Sequence, residues 1–203
     1  MIVLKDRKFL GLVLAIVGIS VLGFTWGYPS TQTTSGGTGD EKGIQWMSFD
    51  QAVKLNAKHP KKIFIDVFTQ WCGWCKKMDA DTYTDPTVIN YINKYYYAVR
   101  LDAETADTFH FKDHKFYNPQ PHTRGVVNEL ASSLLDGKLG YPTTVYMNEN
   151  FERLTYVQSY INAAELMPIL RYFAEEKYKT MKFDDYKKSI GSTADNPSNA
   201  TDK

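Results

Sequence analysis

The spacing of the two cysteines constrains the fold of this chain more than any other feature. Cys72 and Cys75 are the only cysteines among 203 residues, too few for a fold held by several disulfides or for a zinc site made of thiolates alone. They follow the apolar segment from Ile63 to Phe68, whose β-branched and aromatic residues are typical of a strand covered on both faces. A Cys-x-x-Cys pair that follows such a strand and opens a helix indicates a redox-active dithiol.

The start of a helix also favours the chemistry that such a pair needs. Unpaired N–H groups and the positive end of the helix dipole stabilise the Cys72 thiolate, and Lys76 and Lys77 add positive charge nearby. Such settings lower the pKa of a thiol from about 8.5 to roughly 3.5–7.5. Cys75, one helical turn further on, can reach the first sulfur and resolve a mixed disulfide.

Hydrophobic periodicity, caps and turn residues predict an α/β arrangement after about residue 44. The predicted helices cover residues 49–58, 72–83 with a kinked continuation past Asp85 and Pro86, 128–136 and 162–177, and the predicted strands cover 63–68, 95–101, 143–147 and 153–158. The first helix is expected to turn Phe49, Ala52, Val53 and Ala57 inward. The order strand, helix, strand predicts a parallel pair with a right-handed crossover, and a short polar turn predicts a final antiparallel hairpin. We therefore expect a central mixed sheet flanked by helices.

Residues 103–125 interrupt this alternation before the third predicted helix. Within them, the segments 109–111 and 115–117 flank a polar turn and predict a small hairpin. We interpret residues 103–125 as an insertion that can recognise a partner.

The ends of the chain differ in character from its middle. Three basic residues among the first eight precede an uncharged apolar run from Phe9 to Trp26. This pattern predicts a signal peptide or a membrane anchor over residues 1–27, with the rest of the chain outside the cytoplasm. Residues 28–43 are small and polar, which predicts a flexible linker before a domain at 44–177. A short amphipathic helix and a disordered tail from residue 191 are expected within 178–203.

The balance of charge excludes one broad class of partner. The chain has 24 Lys and Arg residues and 23 Asp and Glu residues, which leaves a formal charge of +1. Without a net positive field or a basic block, binding to nucleic acid is not expected.

The cysteines and their surroundings resemble the thioredoxin superfamily over about residues 44–177, roughly two thirds of the chain. Asp66 stands six residues before Cys72, where thioredoxins place a buried carboxylate, and Trp71 matches the tryptophan before the first cysteine. The segment Tyr141-Pro142-Thr143 matches the loop whose proline is cis and packs against the disulfide. The pattern Trp-Cys-x-x-Cys-Lys-x-Met is most similar to exported thioredoxin-like proteins of bacteria, which implies a thioredoxin-like fold and a periplasmic location.

The resemblance implies a role for each matching residue. An ionised carboxylate in an apolar strand is costly, so Asp66 is expected to have a raised pKa and to accept the proton of Cys75 during its attack. The alternative is a carboxylate turned to the strand edge and hydrogen bonded there. Pro142 is expected to be cis rather than a trans proline that begins a strand, and Trp71 shapes the docking surface or is an exposed packing residue. The residues expected to bind substrate are Trp71, Trp74, Tyr141 and Pro142.

These features predict a thiol–disulfide oxidoreductase that acts on disulfides of exported proteins, with no cofactor beyond the Cys72–Cys75 disulfide. Thioredoxins have Gly-Pro between the cysteines, whereas this chain has Gly73-Trp74, and tryptophan cannot supply the charge that histidine gives to strong oxidants of the superfamily. This difference favours a reductase or an isomerase. A reductase in this location needs an electron donor at the membrane or outside the cytoplasm.

Two alternative interpretations come from other classes of protein. Cys72 and Cys75, together with the histidines His110, His114 and His122, are possible ligands for copper or zinc. Histidines in a polar hairpin are more often surface residues, so we assign no metal site. The second alternative is a binding module with the same fold, whose cysteines only pack or stay oxidised.

Overall fold

The computed structural model describes residues 43–121 and 123–194. Seven strands lie in these ranges: β1 (Trp46–Met47), β2 (Lys62–Phe68), β3 (Tyr96–Asp102), β4 (Phe109–Phe111), β5 (His114–Phe116), β6 (Thr143–Met147) and β7 (Arg153–Gln158). The helices are α1 (Phe49–Asn56), α2 (Gly73–Asp81), α3 (Pro86–Tyr95), α4 (Glu129–Leu134), α5 (Ala163–Ala174) and α6 (Phe183–Ala194), with a 3₁₀ turn at Lys177–Lys179. Within the described ranges, no helix has the length and apolar character needed to cross a membrane.

Some of the sequence predictions fall outside the described residues. These predictions concern the export segment 1–27, the linker 28–43 (of which only Gly43 is described) and the tail after Ala194. His122 is also outside the described residues. The prediction for the C-terminal end is partly wrong, because α6 continues to Ala194 and residues 191–194 are therefore helical rather than disordered.

Five strands form the central sheet in the order β1-β3-β2-β6-β7. The strands β1, β3 and β2 are parallel, whereas β6 is antiparallel to β2 and β7 is antiparallel to β6. The predicted mixed sheet is thus confirmed, with β1 as an additional two-residue edge strand that the pattern did not predict. Strand β2 lies in the middle of the sheet and is buried as far as Val67. The cysteine pair follows the end of this central strand.

Alternate residues of β2 point to opposite faces of the sheet, and each face has its own core. Phe64 packs in a cluster with α2, α3, α5 and α6, in which Leu170 is fully buried. Ile63, Ile65 and Val67 pack in a second cluster with α1, α4 and the insertion hairpin. Helices cover both faces, so the strand that carries the cysteine loop is held between two cores.

The first helix ends earlier than predicted. It begins with the capping box of Ser48 and Gln51, but it ends at Asn56 rather than at about residue 58. Asn56 is buried and Ala57 is exposed, the reverse of the expectation from helical periodicity. Asn56 is buried because its side chain makes two hydrogen bonds. It accepts the N–H of Lys61 at 2.7 Å and donates to a carbonyl of the β6–β7 turn.

The helix after the cysteines is also divided differently from the prediction, because α2 and α3 are two helices and not one kinked helix. The Asp85 carboxylate accepts the backbone N–H groups of Thr87 and Val88, and Pro86 takes the first helical position. This cap starts a new helix after α2 has ended at Asp81, with Thr82 as its C-cap residue. The insertion therefore precedes the fourth helix rather than the third, and its predicted hairpin is present as β4 and β5.

Candidate active site

The candidate active site is the first turn of α2. Cys72 is the N-cap residue of this helix, and it forms a disulfide with Cys75, whose Cα lies 5.3 Å away. The loop from β2 is closed by a hydrogen bond from the Cys72 N–H to the Thr69 carbonyl at 3.1 Å. The Cys72 sulfur accepts the N–H of Cys75 at 3.0 Å. Both cysteines are buried, so little of the disulfide is exposed to solvent.

The lysines expected to add positive charge near Cys72 are arranged unequally. Lys76 is exposed, whereas the Lys77 ammonium is paired with the Asp81 carboxylate one turn along α2. Lys77 therefore contributes less free positive charge than the sequence suggested. The N–H of Cys75, in the first turn of α2, is the donor that contacts the Cys72 sulfur.

Asp66 is in the middle of β2 and is only 1% exposed. The Tyr83 hydroxyl donates to its Oδ1 at 3.0 Å, and the Nε of Arg100 lies 3.2 Å from its Oδ2. Burial raises the pKa of Asp66 to about 6, even though Arg100 and Tyr83 both act to lower it. The expected raised pKa is present. The alternative was a carboxylate turned to the strand edge and hydrogen bonded there, and the Asp66 carboxylate is indeed hydrogen bonded and paired with Arg100 of the neighbouring strand.

The partners of Asp66 were not identified from the sequence. Arg100 is directly opposite Asp66 in the β2–β3 register. Its guanidinium also makes two hydrogen bonds to the Asp79 carboxylate, at 2.5 and 2.8 Å, and lies over the Phe68 ring. One signal was available: a single charged residue stands in the interior of each of two predicted neighbouring strands. Such residues pair when the strands are adjacent, because burial of an unpaired charge is costly.

The peptide bond between Tyr141 and Pro142 is cis, as the resemblance implied. Tyr141, Pro142 and Trp74 line one cleft of about 360 Å³, which is completed by Ser159 and Tyr160. Three of the four residues expected to bind substrate therefore lie together, beside the helical turn that holds the disulfide. Sequence reasoning missed Ser159 and Tyr160, because they follow β7 and reach the cleft only through the order of the sheet.

Trp71 lies on the other side of Tyr141 from this cleft. Its ring meets the Tyr141 ring edge to face, with 6.0 Å between centroids, and its Nε1 donates to both carboxylate oxygens of Glu104 at 3.0 Å. Trp71 is 47% exposed and Trp74 is 60% exposed. Two large aromatic side chains are thus presented to solvent around the disulfide, which is typical of a surface that binds another molecule.

Two of the three histidines of the alternative metal site lie in the described residues. His110 and His114 are exposed on the insertion hairpin, where they lie 4.0 Å from Asp50 and 3.8 Å from Glu129. Residue 122 lies outside the described ranges. Within residues 43–121 and 123–194, no three His, Cys, Asp or Glu side chains are grouped closely enough to hold a metal ion.

A mixed sheet between helices, a Cys-x-x-Cys disulfide at a helix start and a cis-proline loop beside it together define a thioredoxin-superfamily protein. More specifically, the chain belongs to the family named Thioredox_DsbH and described as "Protein of unknown function, DUF255", whose model matches residues 38–180.

Solved structures with a similar fold come from several sources. A thioredoxin-fold protein from Helicobacter pylori is 13% identical, with 76% of this chain and 91% of that chain covered and a TM-score of 0.50. A thioredoxin from Thermus thermophilus is 16% identical, with coverages of 64% and 87% and a TM-score of 0.49. A structure titled "DsbH Oxidoreductase" is 18% identical, with coverages of 66% and 85% and a TM-score of 0.47. The curated proteins contain no match.

Proposed function

We propose that this protein is a thiol–disulfide oxidoreductase that acts on disulfides of exported proteins as a reductase or an isomerase. The observation that carries the proposal is the Cys72–Cys75 disulfide in the first turn of α2, next to the cleft of Trp74, Tyr141 and Pro142. The label of the matching family, Thioredox_DsbH, is consistent with this chemistry.

The first step belongs to Cys72. In the oxidised protein the Cys72 sulfur is the N-cap group of α2 and accepts the N–H of Cys75, a contact that stabilises a thiolate once the disulfide is reduced. The thiolate attacks one sulfur of the substrate disulfide. The substrate S–S bond breaks, one substrate thiolate leaves, and a mixed disulfide joins Cys72 to the other substrate sulfur. The cis-proline loop, with Tyr141 and Pro142, holds the substrate backbone beside the reacting sulfur.

The second step belongs to Cys75. Its thiol loses a proton to the Asp66 carboxylate and its sulfur attacks Cys72, which re-forms the protein disulfide and releases the second substrate thiolate. The substrate gains two electrons, and the protein loses them. A pKa of about 6 suits Asp66 to this role, because the group is largely ionised at neutral pH yet holds a proton more readily than an exposed carboxylate does. Tyr83 and Arg100 orient the carboxylate.

The direction of electron flow and the location are also part of the proposal. Trp74 stands where strong oxidants carry a charged imidazole, so the dithiol form lacks that stabilisation, and reduction or isomerisation of substrates is favoured. The basic and apolar segment at residues 1–27 supports export or anchoring, with the active site outside the cytoplasm. When the protein acts as a reductase, an electron donor at the membrane or outside the cytoplasm returns two electrons to the Cys72–Cys75 disulfide after each cycle.

Trapping of the mixed disulfide tests the proposal. The full chain carrying Cys75→Ser is expected to accumulate covalent complexes with exported proteins through Cys72, because the resolving sulfur is absent. The complexes should disappear when reductant is added before electrophoresis. The matched control, Cys72→Ser, keeps one thiol but lacks the attacking sulfur and should trap nothing. If Cys75→Ser captures no more protein than Cys72→Ser does, the proposed activity is wrong.

A further inference from the structure

The carboxylate of Glu104 joins two parts of the molecule that are distant in sequence. Glu104 is the second residue of the insertion, and its carboxylate accepts the Trp71 Nε1–H through both oxygens at 3.0 Å. The same carboxylate accepts the backbone N–H of Gly125, at the other end of the insertion, at 2.7 Å. Hydrogen bonds to a charged acceptor are stronger than those between neutral groups. One side chain thus holds the ring that precedes Cys72 and closes the insertion.

The Trp71 ring has two further neighbours. The Arg124 guanidinium lies 4.8 Å from the ring centroid, and the Tyr141 ring packs against it in a T-shaped arrangement. Despite these contacts with three separate segments, about half of the indole is open to solvent. An exposed aromatic ring fixed in one orientation loses little further entropy when it binds a partner, which favours affinity.

The base of the insertion is tied by two buried asparagines. Asn118 donates to the carbonyls of Glu104 and Val126 at 3.2 and 3.0 Å. Asn128 donates its backbone N–H to Ala103 at 2.7 Å, and its side chain donates to a further insertion carbonyl at 2.8 Å. Both asparagines are nearly inaccessible to solvent. The insertion is therefore fixed to the body of the protein at the side that carries Trp71.

Two grooves flank Trp71, and both are lined by Trp71 and Glu104. One, of about 370 Å³, continues along the insertion to Arg124. The other, of about 270 Å³, continues to Tyr141, which also lines the cleft of Pro142 described above. Trp71 and Glu104 line both grooves, and Tyr141 lines both the second groove and the cleft, so the three form one connected surface suited to an extended polypeptide.

We propose that Glu104 is a positioning residue that locks Trp71 and the insertion into one preformed surface, and that this surface binds the polypeptide on one side of the substrate disulfide. The proposal rests on the proposed function and deepens it. It assigns the insertion to substrate recognition and makes the protein selective for disulfides in polypeptides over small disulfides.

Steady-state kinetics of the full chain with two disulfides test this assignment. Insulin serves as the polypeptide disulfide, uncharged bis(2-hydroxyethyl) disulfide as the small one, and dithiothreitol as the electron donor. Glu104→Ala is expected to raise the ratio of the KM for insulin to the KM for the small disulfide about tenfold, the change that accompanies loss of about one hydrogen bond to a charged group. Glu104→Gln keeps an acceptor oxygen for the indole and should recover most of the wild-type ratio.

Two further variants complete the test. Asp184→Ala removes an exposed carboxylate from α6, outside the insertion, and should leave the ratio unchanged. Arg124→Ala removes an exposed side chain from the Trp71 ring and should raise the ratio about threefold, which decides the question if Glu104→Ala fails to fold. An unchanged ratio in both Glu104→Ala and Arg124→Ala overturns the inference while wild-type reduction of insulin continues. Failure of the wild type to reduce either disulfide would instead count against the proposed function.

Discussion

The buried Asp66 carboxylate makes a prediction that can be worked out from its surroundings. Its pKa is raised from an ordinary value of 3.8 to about 6, mainly because β2 places it in the core. The folded protein therefore binds more protons than the unfolded chain between these two pH values, and the free energy of unfolding falls as pH rises through this interval. The shift of about two pKa units corresponds to about 3 kcal/mol. Protonation of Asp66 therefore contributes fully to the free energy of unfolding below pH 3.8, and this contribution is lost as pH rises through 6.

The substitution Asp66→Asn removes this proton-linked effect. Asparagine keeps an oxygen that can accept the Tyr83 hydroxyl, and Arg100 keeps both of its hydrogen bonds to Asp79. Urea unfolding of the oxidised protein, followed by far-ultraviolet circular dichroism from pH 4 to pH 8, measures the outcome. Relative to wild type, the variant should gain about 2.5 kcal/mol in free energy of unfolding between pH 4 and pH 8, because part of the total is already lost at pH 4.

A matched control comes from an exposed carboxylate whose pKa is shifted in the opposite direction. A hydrogen bond from Lys77 lowers the pKa of Asp81, so its effect on stability is present above pH 3.8 and is lost only at lower pH. Asp81→Asn should therefore leave the slope between pH 4 and pH 8 unchanged. If Asp66→Asn instead loses stability relative to wild type as pH rises, the ion pair with Arg100 outweighs burial and our reasoning is wrong.

A second measurement on Asp66→Asn and two other substitutions have outcomes set by the described contacts. Asp66→Asn should slow the resolution of the mixed disulfide about 100-fold, measured by quenched-flow electrophoresis, because the proton acceptor is lost; a normal rate would remove Asp66 from the mechanism. Leu170→Ala, in the fully buried core beside β2, should reduce the free energy of unfolding by about 3 kcal/mol in urea titrations, and a loss below about 1 kcal/mol would contradict the packing. Gly137 has a φ of +71° with open space around its Cα, so Gly137→Ala should cost about 1 kcal/mol through the backbone alone in thermal unfolding. A neutral result there would mean that the turn rearranges.

Features encoded by neighbouring residues could be predicted from the sequence. The strand before the cysteines, the proline and aspartate that open α3, and the hairpin in the insertion each depend on a short run of residues with a clear pattern. The mixed sheet followed from the order of these elements. Strand β1 was missed because Trp46 and Met47 form a two-residue pair with β3, too short for any periodicity to appear.

Contacts between distant residues could not be predicted in the same way. Asp66 and Arg100 pair only because β2 and β3 are in a register that places them opposite each other. Glu104 meets Trp71 although 33 positions separate them, and no local pattern marks a carboxylate as the acceptor of a particular indole. The chemistry of the cysteines was therefore visible in the sequence, whereas the groups that orient Asp66 and Trp71 emerged only from the packing of the sheet.

The N-cap position of Cys72 bears on how much the structure must rearrange when the disulfide is reduced. While still in the disulfide, the Cys72 sulfur already accepts the N–H of Cys75, so the donor that a thiolate needs is in place before the bond opens. We expect reduction to change covalent bonding and charge at the two sulfur atoms while α2 keeps its position. Crystals of the oxidised protein should accordingly survive a soak in reductant with their lattice intact, because thiol–disulfide exchange at this helix end is expected to need little movement of the backbone.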